Sequence, residues 1–140
     1  MALVEVVMAT SITALMATAL IGSINHGFII MKMVRENQRA TQILIEKVET
    51  IRLYSWSQVN TPGFIPSYFY DYFDPQAPLN SKGVRYQGSI RVVDVPFSSA
   101  YSTNMKQMDV TVSWVSTDNI THIRTATTYV ARDGIQNYVY

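Results

Sequence analysis

From residue 6 to residue 31 no side chain carries a formal charge, and the single carboxylate just ahead of this run is Glu5. A helix of about 20 predominantly apolar residues is enough to cross a bilayer, and residues 6–25 meet that length. Thr10, Ser11, Thr13, Thr18 and Ser23 interrupt the run. In a helix their hydroxyls bond back to carbonyls one turn earlier, which makes them tolerable in lipid. Small residues at Ala9, Ala14, Ala17, Ala19 and Gly22 allow helices to approach closely. A glutamate in such surroundings is costly unless something compensates it.

Two simpler readings leave something unexplained. A secretory signal would need a basic segment before the apolar core, and the run starts at residue 1 with no Lys or Arg ahead of it. A plain membrane anchor accounts for the length and not for Glu5.

Helical spacing continues past the apolar run. Ile30, Val34, Thr41, Leu44, Val48, Ile51 and Ser55 fall near one stripe, while Arg35, Gln38, Arg39, Gln42, Glu46 and Glu49 fall largely elsewhere. No proline occurs before Pro62, so one helix is expected over residues 3–56, roughly 80 Å at 1.5 Å per residue. Residues 1–27 are its transmembrane or self-packing segment and residues 28–56 its amphipathic half. A small domain covers only the second, so lipid or other copies of the chain must cover the first.

Residues 57–83 contain four of the five prolines together with Phe64, Tyr68, Phe69, Tyr70, Tyr72 and Phe73. Proline interrupts both helix and ladder, so an irregular connecting loop is expected, with its aromatics forming a contact or a displayed surface. Residues 84–140 read as an antiparallel sheet. Val84, Tyr86, Ile90 and Val92 alternate, and so do Met108, Val110, Val112 and Trp114, with Asp109, Thr111 and Ser113 on the opposite face. "STDN" is a turn, "ITHIRTATTYVA" a strand, "RDG" a second turn and "IQNYVY" a short closing strand. The fold class is α+β: a long N-terminal helix packed on a sheet of three or four antiparallel strands.

Composition narrows the chemistry. Without cysteine there is no disulfide framework, thiolate metal site or cysteine nucleophile. A net charge of +1 with scattered Lys and Arg predicts no polyanionic partner and no specifically bound nucleic acid. His26 and His122 lack partners at ligand spacing, and Asp71 and Asp74 have turn composition. Asp118 beside Asn119 likewise has turn composition, and Asn119-Ile120-Thr121 matches a glycosylation sequon. No phosphate loop or Ser-His-Asp spacing is present, so no enzyme, cofactor or metal is expected.

The opening "LVEVVMA" from Leu3, with an apolar helix behind it, resembles the mature N-terminus of type IV pilins and type II secretion pseudopilins: Met1, Leu3, Val4 and Glu5 match that pattern. Ala2 departs from the commoner Thr, Gly22 stands where many members have a proline, and the C-terminal disulfide loop of many members is impossible here. The family's spine helix, variable loop and sheet of about four strands agree with the reading of the remaining chain. The resemblance implies a prepilin peptidase that removes a leader and methylates the new amine of Met1. It implies that Glu5 meets an N-terminal amine, its own or a neighbour's, at a cost of about 3–5 kcal/mol if one partner is lost. The competing role is a cap on its own helix, favourable by about 0.3–1 kcal/mol. Thr18, Gly22, Ser23 and Gly27 lower helix propensity, so the spine is expected to bend or melt there in an assembled fibre.

Function follows as an expectation in two forms. One is a major pilin that polymerises with itself into an extracellular filament for adhesion, motility or DNA uptake. The other is a pseudopilin forming a short periplasmic piston for protein export. Either would enter the inner membrane first and meet an assembly platform there. A monomeric anchored binding module would form no polymer.

Overall fold

The computed structural model describes residues 2–134. The expected roles of Met1 and of "IQNYVY" therefore lie outside the described residues. The chain divides into two units between Arg35 and Glu36, and one helix, α1 (Ala2–Arg52), contributes to both.

In the first unit α1 is apolar and exposed: among residues 2–35 only Met33 is even half-buried. The helix is long and apolar enough to cross a membrane. Its hydroxyls are satisfied internally. Thr10 donates to the Val6 carbonyl at 2.9 Å, Ser11 to Val7 at 2.7 Å, Thr13 to Ala9 at 2.8 Å and Ser23 to Ala19 at 3.0 Å. Each satisfies a polar demand that lipid could not meet.

The second unit is an α+β layout. From Glu36 onward α1 buries Glu36, Ala40, Ile43, Leu44 and Ile51. Leu44 and Ile51 belong to the expected stripe, whereas Ile30 and Val34 are exposed. The helix ends at Arg52, short of the expected Trp56. Leu53 and Tyr54 close three-residue turns onto Thr50 and Ile51, and Ser55, extended at φ −68° and ψ 158°, starts a second helix, α2 (Trp56–Asn60). Ser55 and Gln58 form a reciprocal capping box, a signal strong enough to restart a helix rather than prolong one.

Four strands follow, β1 (Tyr68–Tyr72), β2 (Arg85–Asp94), β3 (Met105–Val115) and β4 (Thr121–Ala131). They pair antiparallel in the order β1-β2-β3-β4. Their inward residues, among them Tyr86, Ile90, Met108, Val110, Val112 and Trp114, join the buried helix residues in one core.

The presence of β1 corrects the expectation of an irregular loop over residues 57–83. The prolines flank this strand and do not interrupt it: Pro62 and Pro66 precede it, Pro75 and Pro78 follow it, and an edge strand tolerates such neighbours. Inside the strand, Phe69 turns inward over Gly88 of β2. A Cβ at position 88 would overlap the Phe69 ring, so glycine there is what lets the aromatic strand close onto the sheet.

Candidate functional site

The candidate assembly segment is residues 2–35. Glu5 lies in the first turn of α1 and is exposed. Among the described residues it has no ion pair. Its negative charge there is favourable to the helix dipole by about 0.3–1 kcal/mol. Thr18, Gly22, Ser23 and Gly27 all lie inside the continuous helix. Thr18 donates to the carbonyls of Ala14 at 3.1 Å and Leu15 at 2.9 Å. Nothing stands within 4 Å of a Cβ added at Gly22 or Gly27, so no contact within this chain demands glycine at either place.

The aromatic residues of 64–73 divide by strand parity. Tyr68 and Tyr70 point outward and are 75% and 60% exposed. Phe69 packs against the core, with the Lys47 ammonium 5.2 Å from its ring centre. Tyr72 carries Lys82 at 4.9 Å, and Phe64 meets Tyr54 edge to face at 5.3 Å. Phe73 lies against Gly83. Between them Asp71 pairs with Arg39 at 3.4 Å, tying β1 to the helix.

Glu36 is the residue that sequence reasoning passed over. It is 1% exposed. Ser116 donates a short hydrogen bond to Oε2, and Thr117 donates to Oε1 at 2.9 Å. The Tyr86 hydroxyl donates to the Glu36 carbonyl at 3.0 Å. Burial pushes the Tyr86 hydroxyl up to about 12, with the Glu36 charge adding to the rise, Arg39 opposing it and Asp71 contributing. The signal was present in the sequence. Glu36 stands four residues before Ala40 and seven before Ile43, on the buried stripe itself.

The turn that holds Glu36 is built from Ser116 to Ile120. Asn119 takes φ 63°, a conformation asparagine tolerates better than most residues. Asp118 accepts from the Ile120 amide at 2.9 Å. His122 stacks on Trp114 with ring centres 5.4 Å apart. Its Nε2 lies 3.5 Å from Asp118 Oδ2, near enough for attraction when the ring is charged. That contact is not a hydrogen bond, and both His122 Nε2 and Trp114 Nε1 are buried without one. His26 lies on the exposed helix of the first unit, and Asp133 is exposed. Asp74 accepts from the Gln76 amide at 3.1 Å, as a turn aspartate does. Among the described residues no group of three or more His, Asp or Glu is placed to hold a metal ion.

Comparison with protein-family models, with curated proteins and with solved structures finds no match for this chain.

Proposed function

We propose that the chain is a structural subunit of a pilin-type filament, polymerising with copies of itself through residues 2–35 of α1 and performing no catalysis. The observation that supports this reading is the exposure of that segment. Leu3, Val6, Leu15, Leu20, Ile24 and Phe28 each leave more than half of their surface uncovered. Apolar surface in water costs roughly 25 cal/mol per Å². Lipid of the inner membrane covers the segment before assembly, and neighbouring helices cover it in an extracellular fibre. The small residues Ala9, Ala14 and Ala17 let those helices approach. Because lipid already satisfies the apolar side chains, greasy contacts alone set no axial register between subunits. Glu5 supplies it by pairing with an N-terminal amine, and Thr18, Gly22, Ser23 and Gly27 let the helix yield where crowded copies require it.

Negative-stain microscopy of fibres sheared from cells expressing the chain tests this reading. The native chain should give filaments; Glu5→Ala should give folded, membrane-inserted subunits with fibre yield reduced at least about tenfold, the effect of about 1.4 kcal/mol per addition step. Glu5→Asp should fall between. Normal yield from Glu5→Ala would overturn the pairing, and a native chain that forms no fibre under any expression condition would overturn the filament itself.

A further inference from the structure

The assembly proposed above uses residues 2–35 of α1 and assigns the outer face of the sheet no role. Strand register arranges its outward side chains in cross-strand rows. Tyr70, Gln87, Ser113 and Ile123 form one row, and Tyr68, Ser89, Thr111 and Thr125 the next. At one edge stand two exposed phenol rings. The middle of both rows is amide and hydroxyl without charge.

Two arginines of β2 bracket these rows on the same face: Arg85 is two residues before Gln87, and Arg91 two residues after Ser89. Both are exposed. The Arg85 guanidinium lies 4.1 Å from the Tyr70 ring centre. Arg91 stands directly opposite Asp109 on β3, a position where opposite charges ordinarily pair. They do not pair here. The Asp109 carboxylate accepts from the Thr127 hydroxyl at 2.7 Å and from the Gln107 amide at 3.0 Å. Arg91 has no ion pair among the described residues. The one carboxylate of this region is thus held by neutral donors and keeps its charge, but it is not bonded to Arg91, so a guanidinium without an ion pair stands at each end of an uncharged strip.

We propose that this face binds an acidic polysaccharide laid along β2. The planar guanidinium forks of Arg85 and Arg91 match the carboxylates of uronate sugars. Tyr68 and Tyr70 offer rigid rings that cover the apolar C–H faces of sugar rings while their hydroxyls stay wet. Gln87, Ser89 and Thr111 both donate and accept hydrogen bonds, as sugar hydroxyls do. The arginines are six residue steps apart along β2, about 20 Å. Two cations over that span suit a sparsely charged polymer. A nucleic acid places a phosphate at every nucleotide, and its binding depends on neutralising many of them. The chain's total charge of +1 predicted no polyanionic partner; strand register, which the total does not carry, puts both arginines on the face that carries Tyr68 and Tyr70, and Asp109, opposite Arg91, is bonded to Thr127 and Gln107 instead.

Titration of the full chain in detergent micelles with polygalacturonate, at low salt, tests the proposal. The native chain should bind, and added salt should weaken binding by screening. Arg85→Gln with Arg91→Gln should weaken it at least about tenfold, since each charge-assisted bond is worth that much or more, and should reduce the salt dependence. Tyr68→Ala with Tyr70→Ala should weaken it by a similar factor. Neutral dextran should bind far more weakly than polygalacturonate. No binding of polygalacturonate by the native chain would overturn the proposal, as would an arginine double variant that binds normally or dextran that binds equally well. Tighter binding of a thymidine oligonucleotide through the same arginines would overturn it in favour of a nucleic-acid surface. All four substituted side chains are exposed, and the unfolding midpoint from tryptophan emission checks that each variant is folded. Should the tyrosine variant lose β1, the arginine variant, whose substitutions lie on β2 and leave the β1 residues unchanged, still decides.

Discussion

Replacing Glu36 separates two opposing effects that the buried carboxylate combines. Glu36→Ala removes two hydrogen bonds to an ionised group, each worth about 1.5–3 kcal/mol, and leaves the Ser116 hydroxyl, 6% exposed, without its partner. Thr117 is exposed, so water replaces its lost bond. Against this stands relief from burying a charge that has no ion pair among the described residues, worth several kcal/mol in the opposite direction. Truncation also leaves a cavity, which adds a further loss. The expected net loss for Glu36→Ala is about 2–4 kcal/mol, a fall in Tm of the order of 10–20 °C for a head of this size. Glu36→Leu fills the volume and keeps the relief, and still strands Ser116, so about 1–2 kcal/mol should be lost. Glu36→Leu combined with Ser116→Ala removes both polar partners and should return to within about 1 kcal/mol of the native chain. The assay is urea unfolding in micelles followed by the emission of Trp56 and Trp114, the latter buried and two residues from Ser116. If Glu36→Ala cost under about 1 kcal/mol, or if Ser116→Ala failed to rescue Glu36→Leu, the hydrogen bonds would not be what holds this carboxylate.

Two further outcomes follow from the head. The Tyr86 hydroxyl is raised from 10.0 to about 12, so above pH 10 the unfolded chain releases this proton first and binds fewer protons than the folded one. Stability should be unaffected by Tyr86 below pH 10 and should fall by about 1.4 kcal/mol per unit from there to pH 12. Urea midpoints taken across that range should show a shallower slope for Tyr86→Phe, and an equal slope would refute the assignment. Phe69→Ser should cost about 2–4 kcal/mol, because its ring packs on the core, whereas Phe73→Ser, at an exposed ring, should cost under about 1 kcal/mol; equal thermal shifts for the two would contradict the inward and outward division of this aromatic stretch.

Much of the architecture was legible because single physical signals governed it. Met108, Val110, Val112 and Trp114 alternate in the sequence and are all buried in β3, since one face of that strand meets the core and the other does not. The α+β layout followed from an unbroken helical period ahead of such strands. β1 escaped notice because four prolines crowd its flanks, and what counts is where they stand, outside the five paired residues. The end of α1 lies short of the expected Trp56 because Ser55, which falls on the helical stripe, instead caps a new helix together with Gln58. Glu36 was missed for a different reason. Charge is ordinarily a sign of surface, and the two hydroxyls that offset its burial come from a turn some 80 residues later, a distance no local pattern spans. The outer-face arginines share that property: their meaning depends on what strand register sets opposite them.

The sheet order bears on how the head reaches its native state. Every strand pairs with its immediate predecessor in the chain, so each pairing closes only a short loop and the entropy lost in closure stays small. Docking of α1 is the opposite case, since its contacts with β3 and the turn beyond must close most of the head at once. The strands therefore have the means to form before the helix finds them. In that order of events the inward face of the meander, with Met108, Val110 and Val112, would stay open to water until α1 docks, and the bonds from Ser116 and Thr117 to Glu36 would be among the last to form.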